Sequence, residues 1–305
     1  MKILIATEKP FAAAAVAQMR KVIEDAGIEL ALLEKYTDKS NLLSAVKDVD
    51  GIIIRSDIID REVMDAAPNL KLIVRAGAGY DNIDLKAATE KGVVAMNTPG
   101  QNANAVAELV FGMLVMKARN HYDGTTGTEL KGKTLGLHAY GNVSRNVARI
   151  AKGFGMNVFA YDPFLTADKI EAEGVTAVEK VEDLYKNCHY VSLHIPATPQ
   201  TIHSINHDLL ALMPQNATLI NTARKEVIDE DGLLKLMGER ADFNYVADIR
   251  PAKADEFLAK YNNRVFFTPK KMGAQTKEAN MNAGIAAAHQ SVDFLIKGVD
   301  RFRVN

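Results

Sequence analysis

A single cysteine, Cys188, stands among 305 residues. That excludes an intrachain disulfide framework and a cysteine-rich zinc site. Charge of one sign is equally scarce: 37 Lys and Arg stand against 38 Asp and Glu, a formal net charge of −1. The whole-chain electrostatic footprint of a nucleic-acid binder is therefore missing. Long apolar runs are absent too. The longest, around Ala103–Met116, is broken by Glu108 and falls short of the roughly 20 residues a bilayer needs. The opening stretch MKILIATEKP turns charged at Glu8 and Lys9, so it reads as a first strand rather than a signal peptide. No Gly/Ser/Pro-rich linker, low-complexity segment or short repeat divides the chain. The remaining composition, 48 % hydrophobic and 25 % charged, is that of an ordinary globular protein with a cytoplasmic, reducing home. Its length suggests about two domains at roughly 150 residues each.

What is present is alternation. Apolar runs at Lys2–Ala6, Glu29–Leu33, Gly51–Arg55, Lys71–Val74 and Gly92–Met96 predict buried strands, with helical stretches at Phe11–Ala26, Asn41–Lys47, Arg61–Ala66 and Leu85–Lys91. A long helix is expected over Asn102–Arg119. The alternation then restarts, with strands at Thr134–His138, Asn157–Tyr161, Tyr190–His194, Thr218–Asn221, Tyr245–Asp248 and Val265–Thr268. Helices are expected between them at Val143–Phe154, Ala167–Glu173, Glu230–Arg240 and Lys253–Lys260, and a last one over Thr276–Lys297. Such βαβ order predicts two consecutive α/β modules, each a parallel sheet covered by helices on both faces.

The most informative turn lies within Lys133–Pro163, which reads strand, tight turn, helix, strand. A dinucleotide fingerprint there has the form G-x-G-x-x-G. The aligned residues are Ala139, Gly141 and Ser144, so only the middle glycine is kept. That position is the one that lets the backbone approach a pyrophosphate, and the amides of Asn142 and Val143 would open a helix N-terminus toward it. Asp162 follows 18 residues after Ser144, where a carboxylate accepts hydrogen bonds from ribose hydroxyls. No arginine follows it, which favours NAD over NADP. The plainer alternative is a βα turn that holds no ligand.

Five segments in order, VRAGAGYDNID (Val74–Asp84), NTPGQNANAVAE (Asn97–Glu108), LHIPATPQT (Leu193–Thr201), INTARKEVIDE (Ile220–Glu230) and TPKKMGAQT (Thr268–Thr276), resemble the D-isomer-specific 2-hydroxyacid dehydrogenases. The resemblance covers essentially the whole chain and is strongest to members acting on D-3-phosphoglycerate, in a short form with no appended regulatory domain. It implies an α/β fold of two Rossmann-like, doubly wound parallel-sheet domains with a cleft between them. Residues 1–97 with 279–305 would bind substrate and residues 98–278 would bind NAD. The implied partners are a small anionic 2-hydroxy or 2-keto acid and a second copy of the chain, with the helix Asn102–Arg119 a candidate interface. No nucleic acid or membrane is expected. Two rival readings stay open: a reductase for glyoxylate, hydroxypyruvate or another 2-keto acid, and a catalytically silent NAD-binding regulator.

The resemblance also implies roles. Arg224 would orient the substrate carboxylate through two parallel hydrogen bonds. Gly141, Asn142, Val143, Asp162, His194, Pro196, Thr222, Ala223 and Asp248 would hold NAD, His194 and Pro196 flanking adenine and Asp248 reaching the nicotinamide end. Arg55, Ser56, Gly77, Ala78, Gly79 and Asn102 would bind substrate, the small residues by offering backbone amides. The chain departs from the family at the proton relay. Lys270 stands where a histidine is usual after Thr-Pro, and Lys253 where its glutamate partner is expected, five residues after Asp248. Lys270 is the candidate acid/base, with Asp255 and Glu256 as loosely aligned partners, and its desolvation in a closed cleft would favour the chemistry. Lys225 and Lys271 would add positive charge for a phosphate. The other histidines, such as His203 and His207, lack metal-ligand spacing, and Cys188 reads as buried packing.

Overall fold

The computed structural model describes residues 1–305 and divides into two compact units, residues 1–102 with 275–305, and residues 103–274. Unit 1 runs β1 (Lys2–Thr7), α1 (Ala13–Asp25), β2 (Glu29–Glu34), α2 (Lys39–Ala45), β3 (Gly51–Ile54), α3 (Arg61–Asp65), β4 (Leu72–Arg75), α4 (Leu85–Glu90) and β5 (Val94–Asn97). Unit 2 runs α5 (Ala103–Ala118), β6 (Thr134–His138), α6 (Asn142–Gly153), β7 (Asn157–Tyr161), α7 (Ala167–Glu171), β8 (Thr176–Ala177), α8 (Val181–Asn187) and β9 (Tyr190–Leu193). It continues with α9 (His207–Ala211), β10 (Thr218–Asn221), α10 (Glu230–Glu239), β11 (Asn244–Ala247), α11 (Ala254–Tyr261) and β12 (Val265–Phe267). The chain then returns to unit 1 as α12 (Lys277–Lys297).

Both sheets are parallel. Unit 1 has the order β2-β1-β3-β4-β5 and unit 2 the order β12-β11-β10-β9-β6-β7-β8. Central strands are buried on both faces: β3, β9 and β10 are buried along their whole length, although β9 carries Ser192 and β10 Thr218 and Asn221. Helix starts are written in side chains. Asp60, Asp84, Asp229 and Thr276 each accept the amide of the residue three positions on, a cap worth about 1 kcal/mol. In unit 1, α12 packs on α1 so closely that a Cβ on Gly284 would lie 2.9 Å from the Met19 sulfur. The other side of the same sheet carries a separate apolar cluster that includes Leu42, Val63 and Ala87.

Expected and observed strands agree to within a residue or two, and β6, β7 and β10 match at both ends. Among the strands and α-helices, three escaped the sequence reading: β8, only two residues long, and the short helices α8 and α9. The strand expected from Gly92 starts at Val94, because Gly92 takes the left-handed conformation (φ +68°) that closes α4. Asn102, placed above in the second module, precedes α5 and falls in unit 1.

Candidate active site

In unit 2 the strand order reverses direction between β6 and β9. In open parallel sheets, that switch point at the carboxyl ends of the strands is where ligands bind. Asp162 follows β7 on one side of β6, and His194 follows β9 on the other.

The turn after β6 is built tightly. Ala139 occupies a left-handed conformation (φ +77°) where the fingerprint has its first glycine, a strain of roughly 1–2 kcal/mol for a residue with a Cβ. The buried Ser144 hydroxyl donates to the Ala139 carbonyl at 2.6 Å and pins the turn to α6. Asp162 braces the same turn from the next strand: its Oδ2 accepts the Tyr140 amide at 2.8 Å and its Oδ1 the Phe164 amide at 2.9 Å. Below it, the Tyr140 hydroxyl donates to Glu173 at 3.0 Å, and Arg145 lies over the Tyr140 ring while pairing with Glu173.

Gly141 is the N-cap of α6 and offers no side-chain cap to the exposed first turn at Asn142. Its φ of −90° does not require glycine, and a Cβ there would meet nothing of the chain within 4 Å. Nothing in the fold therefore requires glycine at this position. An uncapped helix N-terminus with open space before it fits a phosphate, and the residues fit the dinucleotide that the fingerprint predicts. A second sign lies after β10, where the buried Thr222 Oγ1 has no hydrogen-bond partner in the chain.

His138 and His194 lie beside this turn, joined by the bond from the His194 amide to the His138 carbonyl at 3.0 Å. His138 Nδ1 meets the Tyr185 hydroxyl at 3.1 Å and His194 Nε2 the Ser192 hydroxyl at 2.9 Å. Burial pushes His138 down to about 4, and burial with the neighbouring His138 pushes His194 down to about 3, so both rings are neutral near pH 7. Pro196 is exposed, and its carbonyl accepts the Thr201 hydroxyl at 2.6 Å.

Three strand ends carry the other candidates. After β10, Asn221 shapes the turn with both ends of its amide. Its Oδ1 accepts the Ala223 N–H and its Nδ2 donates to the Arg224 carbonyl, each at 2.9 Å. Arg224 is half-buried, with Nη1 donating to the Ala223 carbonyl at 3.0 Å. The sequence reading passed over Asn221, although an Asn opening a turn signals such a ring. After β11 comes Asp248, only 1 % exposed. Its carboxylate accepts the Met272 and Gly273 amides at 2.7 and 2.8 Å and the Thr268 hydroxyl at 3.0 Å. Of the roughly four lone-pair positions on a carboxylate, most are engaged by its own loop. The Asp248 carboxylate thus ties its own loop, beside the contact with the nicotinamide end expected of it. After β12, Lys270 sits on that loop and is exposed, as are Lys225 and Lys271.

The alternative partners for Lys270 are engaged elsewhere. Asp255 pairs with Arg250 at 2.6 Å and Glu256 with Lys260 at 2.7 Å. Lys253 pairs with Asp231, and its amide donates to Glu230 at 2.7 Å.

In unit 1, Arg55 follows β3 and is held by several segments of its own unit. Its Nη1 donates to the Lys9 and Pro10 carbonyls at 2.9 and 3.0 Å, its Nη2 to Asn280 Oδ1 at 2.7 Å, and the guanidinium lies over Phe11. Arg55 thus ties three segments of unit 1 together rather than presenting an open fork. Burial lowers its pKa from the ordinary value. Ser56 is exposed beside it, and the buried Asp57 holds the loop by accepting the Glu8 amide at 2.7 Å and the Tyr36 hydroxyl at 2.8 Å.

A residue the sequence reading missed, Arg75, ends β4 next to it. Its Nε donates to the Arg55 carbonyl at 3.0 Å, and its guanidinium fills the place a Cβ on Gly77 would take. Gly77, at φ +151°, and the following Ala78 and Gly79 form the small-residue turn, held by Asn97 Nδ2 donating to the Ala78 carbonyl at 2.7 Å. The pairing of β3 with β4 (Ile54 opposite Arg75) was the available signal: two arginines close neighbouring strands. Asn102 is half-buried before α5.

The comparisons with known proteins agree with this geometry. The family model described as D-isomer specific 2-hydroxyacid dehydrogenase, NAD binding domain, matches residues 102–270. The D-3-phosphoglycerate dehydrogenase of Methanocaldococcus jannaschii is 38 % identical over 287 residues, 88 % of this chain and 54 % of that protein. The hydroxypyruvate reductase of Thermotoga maritima is 35 % identical over 275 residues, 84 % of this chain and 88 % of that protein. The chain spans about half the length of the phosphoglycerate dehydrogenases among its curated relatives. Among solved structures, the NAD+-bound 3-phosphoglycerate dehydrogenase of Entamoeba histolytica superposes with a TM-score of 0.89 at 46 % identity, covering 100 % of this chain and 98 % of that one. On the matched residues and on these identities, the chain belongs to the D-isomer-specific 2-hydroxyacid dehydrogenase family.

Proposed function

We propose that this chain is an NAD-dependent oxidoreductase interconverting D-3-phosphoglycerate and 3-phosphohydroxypyruvate. The observation that carries the reading is the likeness to the Entamoeba histolytica structure, which spans both chains almost end to end. The open turn at Gly141, the uncapped start of α6 and Asp162 support NAD as the cofactor. Bound there, NAD supplies the hydride acceptor and donor.

The chain's own residues supply the rest. Arg224, on a turn shaped by Asn221, would hold the substrate carboxylate with parallel N–H bonds and polarise the neighbouring carbonyl. Lys270 Nζ would exchange the proton with the C2 oxygen, giving it during reduction and taking it during oxidation. An ammonium donates and a free amine accepts, so oxidation should gain on reduction as pH rises. In unit 1, Arg75 and the 76–79 turn are proposed to bind the anionic groups, with Ser56 and Asn102 as further candidates. Arg55 would act chiefly by holding its loop.

The relative from Thermotoga maritima favours a second reading, a reductase for unphosphorylated 2-keto acids. The two are separated by mixing the protein with NADH and a panel of 2-keto acids including 3-phosphohydroxypyruvate, and following the nicotinamide absorbance. Preference for the phosphorylated acid supports the first reading, and equal or better turnover of hydroxypyruvate or glyoxylate the second. NADH binding without turnover of any acid would leave neither standing.

No helix is long and apolar enough to cross a membrane, and we propose a cytoplasmic homodimer. Partly exposed apolar side chains on α5, such as Leu109 and Val115, are the candidate contact. Light scattering at twice the 33.3 kDa chain mass is the expected result, and a monomer at micromolar concentration would refute it.

A further inference from the structure

The two departures from the G-x-G-x-x-G fingerprint touch each other. Ala139 stands at the first glycine position with φ +77°, in the left-handed region. Ser144 stands at the third and is fully buried. Its hydroxyl donates to the Ala139 carbonyl at 2.6 Å. The opposite side of the turn is tied to the sheet. The Ala139 amide donates to the Tyr161 carbonyl at 2.8 Å, and the Tyr140 amide to Asp162 Oδ2 at 2.8 Å. Those two bonds run to β7 and the residue after it, whereas the Ser144 bond runs to the first turn of α6. The Ala139 methyl has a use of its own: it packs against the apolar cluster that includes Tyr185 and Leu193.

From this geometry we infer that Ser144 is a positioning residue for the dinucleotide turn: its hydroxyl holds Ala139 left-handed, and the pair together replaces two glycines. The inference rests on the NAD reading of this turn. The pairing has a physical reason. Glycine takes a positive φ at no steric cost, whereas alanine returns to negative φ unless something holds it. Glycine at the third position lets the helix approach the strand closely. A serine there fills that space, and its buried hydroxyl needs an acceptor. It finds one on the residue that needs holding. Gly141 is the N-cap of α6, so Ser144 is the third residue of the helix. Fixing the Ala139 carbonyl to it fixes where the Asn142 and Val143 amides point, and those amides are the ones proposed to meet the pyrophosphate. Without the hydroxyl the turn spreads over conformations that aim them elsewhere. Affinity then falls with the fraction that stays competent.

The test uses the full chain with Ser144→Ala, Ser144→Gly, Ala139→Gly and the two double variants that join Ala139→Gly to each serine change. NADH binding is read by nicotinamide fluorescence, and the free chain by amide exchange in the peptide spanning 138–145. Loss of one net hydrogen bond shifts an equilibrium about fivefold. Ser144→Ala should therefore raise the NADH dissociation constant by about that factor and speed exchange in the peptide. The loss should appear in KM for NADH and not in kcat, because the turn does not touch the reacting atoms. In both double variants the dissociation constant should return to within about twofold of wild type, since glycine at 139 needs no holding. Ala139→Gly alone should sit with them. Ser144→Gly should match Ser144→Ala, and it carries the test if Ser144→Ala fails to fold. Wild-type affinity in both serine variants would overturn the inference while leaving NAD at this turn. So would a loss that Ala139→Gly does not rescue, because Ser144 would then act without Ala139. If the wild-type chain binds no NADH, the cofactor reading falls, and this inference with it.

Discussion

Gly141→Ala separates what the fold needs from what the cofactor needs. In the free protein the new methyl meets nothing within 4 Å, and its φ of −90° suits alanine. Removing glycine's freedom from the unfolded chain stabilises by about 0.4–1 kcal/mol. Replacing glycine by alanine at an N-cap costs about the same, so the free protein's Tm should barely move. The bound state should behave differently, because the methyl points into the space left for the pyrophosphate. A tenfold rise in the NADH dissociation constant corresponds to about 1.4 kcal/mol. At NADH one hundred times the wild-type constant, wild type gains about 2.7 kcal/mol and the variant about 1.4 kcal/mol. The difference of about 1.3 kcal/mol corresponds to roughly 3–5 °C for a unit of this size. Differential scanning fluorimetry with and without NADH reads both quantities on one sample. If the variant keeps the wild-type NADH-induced shift, the space before α6 is not where the phosphates lie, and the cofactor reading of this turn is wrong.

Other expectations follow from named contacts. His138 and His194 are lowered to about 4 and about 3, so the unfolded chain binds protons first as pH falls below the ordinary histidine value near 6.5. Stability should therefore drop by about 1.4 kcal/mol per pH unit per histidine over that window. Urea midpoints that match at pH 7 and pH 5 would contradict this, while the half-buried His207, raised by Glu239 and then Asp208, acts in the opposite direction. Asn221→Ala removes two hydrogen bonds from the Arg224 turn; at about 1 kcal/mol each, kcat/KM should fall roughly 30-fold, and a loss under threefold would show that the turn holds itself. Arg55→Ala deletes three hydrogen bonds and should lower the stability of unit 1 by about 2–3 kcal/mol, read as a shift of its urea midpoint. A raised substrate KM with unchanged unfolding would return Arg55 to the role of a substrate ligand.

The parallel strands were legible because a strand buried on both faces shows as an apolar run. Thr134–His138 and Thr218–Asn221 each hold an apolar middle bounded by a polar residue at either end, which marked their limits. The helices α8 and α9 were passed over, although α3 and α7, no longer at five residues each, were read. The candidate site divides in the same way. Arg224, Lys270 and Asp162 announce themselves by type and place in a motif. Arg75 and Asn221 act through geometry that spacing does not display: one fills the volume of a missing Cβ, the other closes a hydrogen-bonded ring. Arg55 shows the converse. A strand-end arginine looks available until the carbonyls of Lys9 and Pro10, distant in sequence, are seen to hold it.

Unit 1 is made from both ends of the chain and unit 2 from its middle. During synthesis, therefore, unit 2 has all of its sequence outside the ribosome before unit 1 does. Until α12 emerges, Phe11, Met19 and the sheet face beneath them lack the helix that covers them. An incomplete unit 1 with that face open is the species most exposed to misassociation. Ribosome-bound chains halted with residue 274 clear of the exit tunnel and α12 still inside it should therefore resist protease across unit 2 while being cut within residues 1–102. Chaperone dependence should concentrate on the first third of the chain, the part made earliest and finished last.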